Sequence, residues 1–204
     1  MINNFGILAS ISWNSNGWAG EPSKEDLNKS GYSFVQDEAH MHESLNFGHE
    51  KFPIEKGGMF IGYSPKLKEG RVGDNAKDVQ VVFFVSTNPY KNSEKTIVGL
   101  YAFPELRGWF VREEKHRLFR KDKYDAGNLR AKVEHILHLD TPVVIDNASV
   151  AKMDFLPKGK KISGMGFNYL EPENVLNILA QMQLKNPRDK KLQSITKKLT
   201  EAVK

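Results

Sequence analysis

Two apolar runs in the middle of the chain, Val79 to Thr87 (VQVVFFVST) and Thr96 to Phe103 (TIVGLYAF), constrain the fold most. Both are dominated by β-branched and aromatic residues and both are bounded by turn formers, which is strand chemistry. Their connection, Asn88-Pro89-Tyr90-Lys91-Asn92-Ser93, is a loop, so the runs are expected as antiparallel neighbours at the centre of a sheet. A further strand precedes them. Ile7, Ala9, Ile11 and Trp13 alternate with Leu8, Ser10 and Ser12, which predicts a half-buried strand that stops at the turn Asn14-Ser15-Asn16-Gly17 and delivers Trp18 just beyond it.

The helical signals sit at the two ends. Pro22-Ser23-Lys24-Glu25-Asp26 reads as a helix start with Ser23 as N-cap and Asp26 at the capping-box position, and a short helix through Lys29 follows. Asp37 to Lys51 is read as helix plus loop, and Met59 to Tyr63, after Gly57-Gly58, as a short buried strand. Trp109 to Val111 and His116 to Phe119 are expected to pair as a hairpin, while Arg130 to Leu139 suits helix and strand equally. Near the C-terminus, Pro172 among acids opens a helix whose apolar face is Val175, Leu176, Ile178, Leu179 and Met182, ending before Asn186-Pro187. Leu192, Ile195, Leu199 and Val203 mark a second amphipathic helix over Arg188 to Val203. The order of elements points to an α+β fold with a mixed or barrel-like sheet.

The 204 residues contain no cysteine, which removes disulfides, thiol nucleophiles and thiolate zinc sites. No stretch approaches the roughly 20 apolar residues of a membrane-spanning helix. Met1 to Phe5 lacks the basic and apolar pattern of a secretory signal, so a cytoplasmic location without membrane association is expected. The net charge of +5 is unevenly placed. Between Arg107 and Lys132 nine cations face four anions, an excess equal to that of the whole chain, so this segment carries the expected phosphate-binding face. Its candidates are Arg107, Arg112, Lys115, Arg117, Arg120, Lys121, Lys123 and Arg130.

Motifs for catalysis are weak. Lys158 to Ser163 resembles the end of a phosphate-binding loop but lacks the upstream glycine, and Gly164-Met165-Gly166 lacks the third glycine of a dinucleotide fingerprint. No Gly-x-Ser-x-Gly elbow occurs. His40, His42, Glu43 and His49 form the one metal-like cluster, at a spacing that matches no helix motif; a metal-dependent hydrolase using them is the alternative of another class. The aromatics are more informative. Trp13 and Trp18 flank a polar turn and Trp109 opens the basic segment, and flat rings beside amide and hydroxyl groups are what a flipped base needs for stacking and edge reading.

The first strand with its polar turn and Trp18, then Glu43 to Gly48, Lys56 to Tyr63, Val81 to Asn88 and Thr96 to Tyr101, resembles PUA-like domains of the EVE and YTH kind. With Gly164 to Leu170 before a closing helix, the pattern is similar to N-terminal targeting domains of McrB-type modification-dependent restriction systems. The resemblance implies a small β-barrel flanked by helices over residues 1–184, with 185–204 as a helical extension or linker to a GTPase motor absent from this chain. It implies a non-enzymatic reader without cofactor or metal that flips a modified, methylated base of double-stranded DNA into an aromatic pocket. RNA is the alternative polymer, and a GTPase motor and a nuclease subunit are the implied partners. Trp18 matches the tryptophan after the first strand; Trp13, Phe47, Tyr63 and Trp109, with Ser12, Asn14 and Asn16 as polar groups, complete the candidate pocket. A protein-interaction domain whose aromatic pocket takes a peptide is a further reading.

Overall fold

A computed structural model describes residues 4–31, 33–67, 76–106, 108–120, 123–162 and 166–203. Of the residues singled out above, Arg107, Lys121 and the Ser163 to Met165 stretch lie outside them. The chain is α+β, and its centre is a five-stranded sheet. β1 (Gly6–Ile11), β3 (Val81–Asn88), β4 (Glu94–Ala102), β8 (Ile136–Val144) and β9 (Phe167–Leu170) lie in the order β8-β4-β3-β1-β9. β1 and β3 run parallel, with Gly6 opposite Val81 and Ile11 opposite Ser86; the other neighbours are antiparallel. The expected β3–β4 pairing is therefore present.

Period-two alternation distributes these strands over two cores. Leu8, Val81, Phe83, Val85 and Leu100 face α4 (Pro172–Lys185) and α5 (Lys190–Ala202), meeting Val175, Ile178, Leu179, Leu192, Ile195 and Leu199. Ile7, Ala9, Ile11, Val82, Phe84 and Tyr101 face the other way, against Trp18, Phe47 and the short ribbon of β2 (Met59–Gly62) and β7 (Leu129–Lys132). Both faces of β1 are covered, so the half-buried strand expected from its alternation is instead buried almost throughout. Its serines misled, because Ser10 and Ser12 cluster only at the C-terminal end, where the strand leaves the core.

The sheet is open. β8 and β9 lie at opposite edges, and the β2–β7 ribbon covers one face without bridging them, so the barrel-like expectation gives way to a two-faced mixed sheet. The hairpin expected from Trp109 to Phe119 is also different. β5 (Phe110–Val111) pairs with β6 (Ala126–Gly127), and His116 to Phe119 is a turn within the loop between them. The reason lies in side chains: His116 and Phe119 pack on Phe52 and take the apolar contact that strand pairing would have supplied. Arg130 to Leu139 resolves as strand on both sides of a 3-10 turn at Val133–His135.

α1 (Lys24–Lys29) starts as expected, with the Asp26 amide donating to Ser23 Oγ at 3.1 Å and the Ser23 amide donating to Asp26 Oδ2 at 3.0 Å. α2 (Ser33–Glu38) and a 3-10 turn at His42–Leu45 account for the helix-plus-loop segment, and α3 (Asn147–Lys152) is a short helix that the sequence did not signal. α5 packs on α4, with Leu192, Ile195 and Leu199 fully buried in the same core as the sheet. No helix among the described residues is long and apolar enough to cross a membrane.

Candidate functional site

Where β1 and β3 end side by side, the chain leaves an open cavity of about 480 Å³. Ser10, Ile11, Ser12 and Trp13 form one wall; Thr87 and Pro89, leaving β3, form another. α1 contributes Asp26 and Lys29, and Met41, Lys66, Lys95 and Gly166 complete the lining. Depressions of about 510 Å³ at the α4–α5 turn and about 540 Å³ beside α1 have no aromatic side chain in their walls. The cavity at Trp13 does.

The candidate aromatics occupy different places. Trp13 is partly exposed, lines the cavity, and has a buried indole Nε1–H with no hydrogen-bond partner among the described residues. Trp18 is only 2% exposed, its indole N–H donates to the Ser12 carbonyl at 2.9 Å, and its ring meets the edges of Trp13, Phe47 and His138. Trp18 therefore supports the Trp13 wall from behind. Phe47 is buried among Phe84, Tyr101 and His138. Tyr63 and Trp109 belong elsewhere: they pack edge to face at 6.2 Å, with Trp109 60% exposed at the start of β5.

The polar turn is largely self-satisfied. Asn14 is buried, donates to the Gly20 carbonyl at 2.9 Å and accepts from the Asn16 amide at 2.7 Å, so it holds the turn shut. Asn16 is exposed and bonds the Glu21 carbonyl at 2.5 Å. Ser12 is buried, and its amide donates to Glu43 Oε1 at 2.9 Å. Asp26 takes hydrogen bonds from the amide and hydroxyl of Ser15, the amide of Ser23 and the hydroxyl of Tyr90. Burial raises the pKa of this carboxyl, but the bonds from Ser15 and Ser23 together outweigh it and leave the group below its ordinary value.

The basic segment is less uniform than its sequence. The Arg112 guanidinium lies between the rings of Phe60 and Phe119 and donates to the carbonyls of Ile61 and Tyr124 at 2.6 and 3.0 Å. Burial pulls its pKa down, opposed by Tyr101 and Glu55. Arg112 anchors the loop and is not presented to solvent phosphates. Lys123 pairs with Glu21 at 2.8 Å, and Arg130 pairs with Glu105 at 2.7 Å while covering Phe110. Lys115, Arg117 and Arg120 are exposed and make no ion pair among the described residues. The loop base and the cavity are tied together, since Glu21 belongs to the β1–α1 connection and His40, next to Met41 of the cavity lining, meets Tyr124 edge to face.

The metal-like cluster does not converge. His40 and His42 approach with their Nε2 atoms 3.4 Å apart, but Glu43 is bound to the Ser12 amide and His49 lies against Phe60 and Lys191. Among the described residues no group of three or more His, Asp or Glu side chains could hold a metal ion. The residues that sequence reasoning missed are Lys29, Met41, Lys66, Lys95 and Gly166, which come from five segments and meet only through the topology. Asp26 was legible as a cap but not as part of a cavity. No protein-family model, curated protein or solved structure matches the chain.

Proposed function

We propose that this domain binds nucleic acid and reads one modified base, with the base held in the cavity against Trp13 and the phosphate backbone met by Lys115, Arg117 and Arg120. The relationship to PUA-like EVE and YTH domains belongs to the same proposal, as does methylated double-stranded DNA as the ligand. The observation that carries the reading is the Trp13 wall: a partly exposed aromatic side chain in a cavity otherwise lined by serines, Thr87, Pro89, Asp26 and the side chains of Lys29, Lys66 and Lys95. Its volume of about 480 Å³ falls within the roughly 300–1,000 Å³ typical of small-ligand sites. An indole stacks on any base, while hydroxyl and backbone groups read its edge.

Fluorescence anisotropy with duplexes carrying N6-methyladenine, 5-methylcytosine, 5-hydroxymethylcytosine or no modification tests the reading, with structured RNA as competitor. One modified duplex is expected to bind tightest. Stacking is worth about 1–3 kcal/mol per base, so Trp13→Ala should cost roughly 5- to 150-fold at the modified site and leave unmodified duplex unaffected. Equal binding of all duplexes by the wild-type protein would refute the proposal, and preference for RNA would move it to the other polymer.

A further inference from the structure

Trp109 is the most exposed of the three tryptophans, at 60%, and Val111, two residues on, is 62% exposed. Burial alternates along this strand. Phe110 lies under the Arg130 guanidinium at 4.5 Å and Arg112 is inserted between Phe60 and Phe119, so Trp109 and Val111 share the outward side of β5. The indole is nonetheless held in place. It meets Tyr63 at 6.2 Å with the rings at 89°, and Tyr63 is itself buried, its amide donating to Asn46 Oδ1 at 2.8 Å and its carbonyl accepting from Asn46 Nδ2 at 2.9 Å. In either sense of an edge-to-face pair, at least one face of the Trp109 ring is left open to solvent. The loop that β5 opens carries Glu113 and Glu114 and then Lys115, Arg117 and Arg120, cations that are exposed and make no ion pair among the described residues.

We infer that β5 is a stacking platform for single-stranded nucleic acid, with an unpaired base on the open face of Trp109, Val111 widening the apolar surface, and flanking phosphates on Lys115, Arg117 and Arg120. The chemistry selects this occupant. A base within a duplex is already stacked on both faces, so an indole face is covered only by a base released from pairing. An aromatic ring beside exposed cations is the combination that holds single strands without regard to sequence. A purely apolar partner would meet Trp109 and Val111 but leave the charge of the loop unanswered. The platform lies apart from the Trp13 cavity, whose lining does not include Trp109, so it reads no modification. The inference rests on the proposed nucleic-acid binding and not on the modified-base pocket.

The experiment titrates the full chain, by fluorescence anisotropy at low salt, into a labelled thymidine homo-oligomer, whose bases stack little on one another, and into an unmodified duplex of the same length. The wild-type protein should bind the single strand. Trp109→Ala should weaken that binding roughly 5- to 150-fold and leave the duplex affinity and the melting temperature unchanged, since the side chain is at the surface. Trp109→Phe, which keeps a ring, should fall between the two. Val111→Glu, which sets a carboxylate on the same outward side, should also weaken the single strand and keeps the test decisive if the alanine variant is poorly folded. Single-strand binding that survives Trp109→Ala, or falls equally for strand and duplex, overturns the inference. So does a wild-type protein that does not bind the single strand, which would turn the patch over to a protein partner. If no modified duplex is preferred but single-strand binding depends on Trp109, the platform stands and the reader function falls. If a modified duplex is preferred through Trp13 and Trp109→Ala changes nothing, the reader function stands and the platform falls.

Discussion

Trp18 has its ring 2% exposed, its indole N–H bonded to Ser12, and its carbonyl accepting from the Phe47 amide at 2.9 Å. It also holds a φ of +53°, which a bulky residue adopts only where surrounding packing over-determines it. Trp18→Ala would leave a void behind Trp13 and an unpaired Ser12 carbonyl. Truncating a core tryptophan typically costs about 3–5 kcal/mol, so this variant is expected to melt well below the wild type in a circular-dichroism scan. A Trp18→Ala protein that keeps its melting temperature and loses modified-base binding would return Trp18 to the pocket and remove the case for Trp13. In the sequence the two tryptophans look alike, each beside the same Asn and Ser residues. What separates them is that Asn14 turns its amide onto Gly20 and Asn16, closing the turn over Trp18, and no local pattern encodes that closure.

At the scale of elements, α5 meets the body of the domain through lysine–histidine contacts as well as apolar ones. Lys191 Nζ lies 3.5 Å from His49 Nε2, and Lys198 Nζ lies 3.1 Å from His135 Nε2, with Glu134 beside both Lys198 and His135. Burial first, and then Lys191, lowers the His49 pKa against an opposing Glu50; burial and then Lys198 lower that of His135, with Lys132 and Lys191 adding and Glu134 opposing. His138, packed against Trp18 and Phe47, is lowered by burial against Asp140. A histidine whose folded pKa lies below its unfolded value of about 6.5 binds fewer protons when folded, so stability is full above that pH and is lost as pH falls through the folded pKa. The melting temperature should therefore drop between pH 7.5 and 5. His49→Gln with His135→Gln should flatten that drop, leaving the part due to His138; an unchanged profile would show that the α5 contacts do not titrate. Of these elements, the capped α1, the β3–β4 pair and α4 were legible, because Ser23-x-x-Asp26, the two apolar runs and Pro172 are local signals. β5 with β6, α3 and the open sheet were not, because two-residue strands and sheet closure depend on which side chains, such as Phe119 and Phe52, find each other across the chain.

Over the whole molecule, electrostatics is set by placement more than by the net charge of +5. The Arg107 to Lys132 segment holds an excess equal to that total in the sequence, yet folding removes Arg112 to an aromatic sandwich and neutralises Lys123 and Arg130 with Glu21 and Glu105. Among the described residues the segment reaches solvent chiefly through Lys115, Arg117, Arg120 and Lys132, while Lys29, Lys66 and Lys95, which the sequence scatters, meet at the cavity, with Lys29 paired to Glu25 at 3.2 Å. Each phosphate contact releases counterions, contributing about −0.9 to the slope of log K against log salt concentration on B-form DNA. Replacing Lys115, Arg117 and Arg120 together by Ala should therefore make the slope shallower by about 2.7 if each meets one phosphate. The loss should be nearly equal for modified and unmodified duplex, because phosphate contacts position a protein without reading sequence. Arg112→Ala should act differently: with Phe60 and Phe119 left without their shared cation, and the carbonyls of Ile61 and Tyr124 without a donor, it should lower the melting temperature first. Binding isotherms at salt concentrations from about 50 to 200 mM separate these outcomes, the range over which a protein with several phosphate contacts loses most of its affinity. A triple variant with the wild-type slope would mean that the exposed loop does not face the nucleic acid, and would overturn this placement of the phosphate backbone.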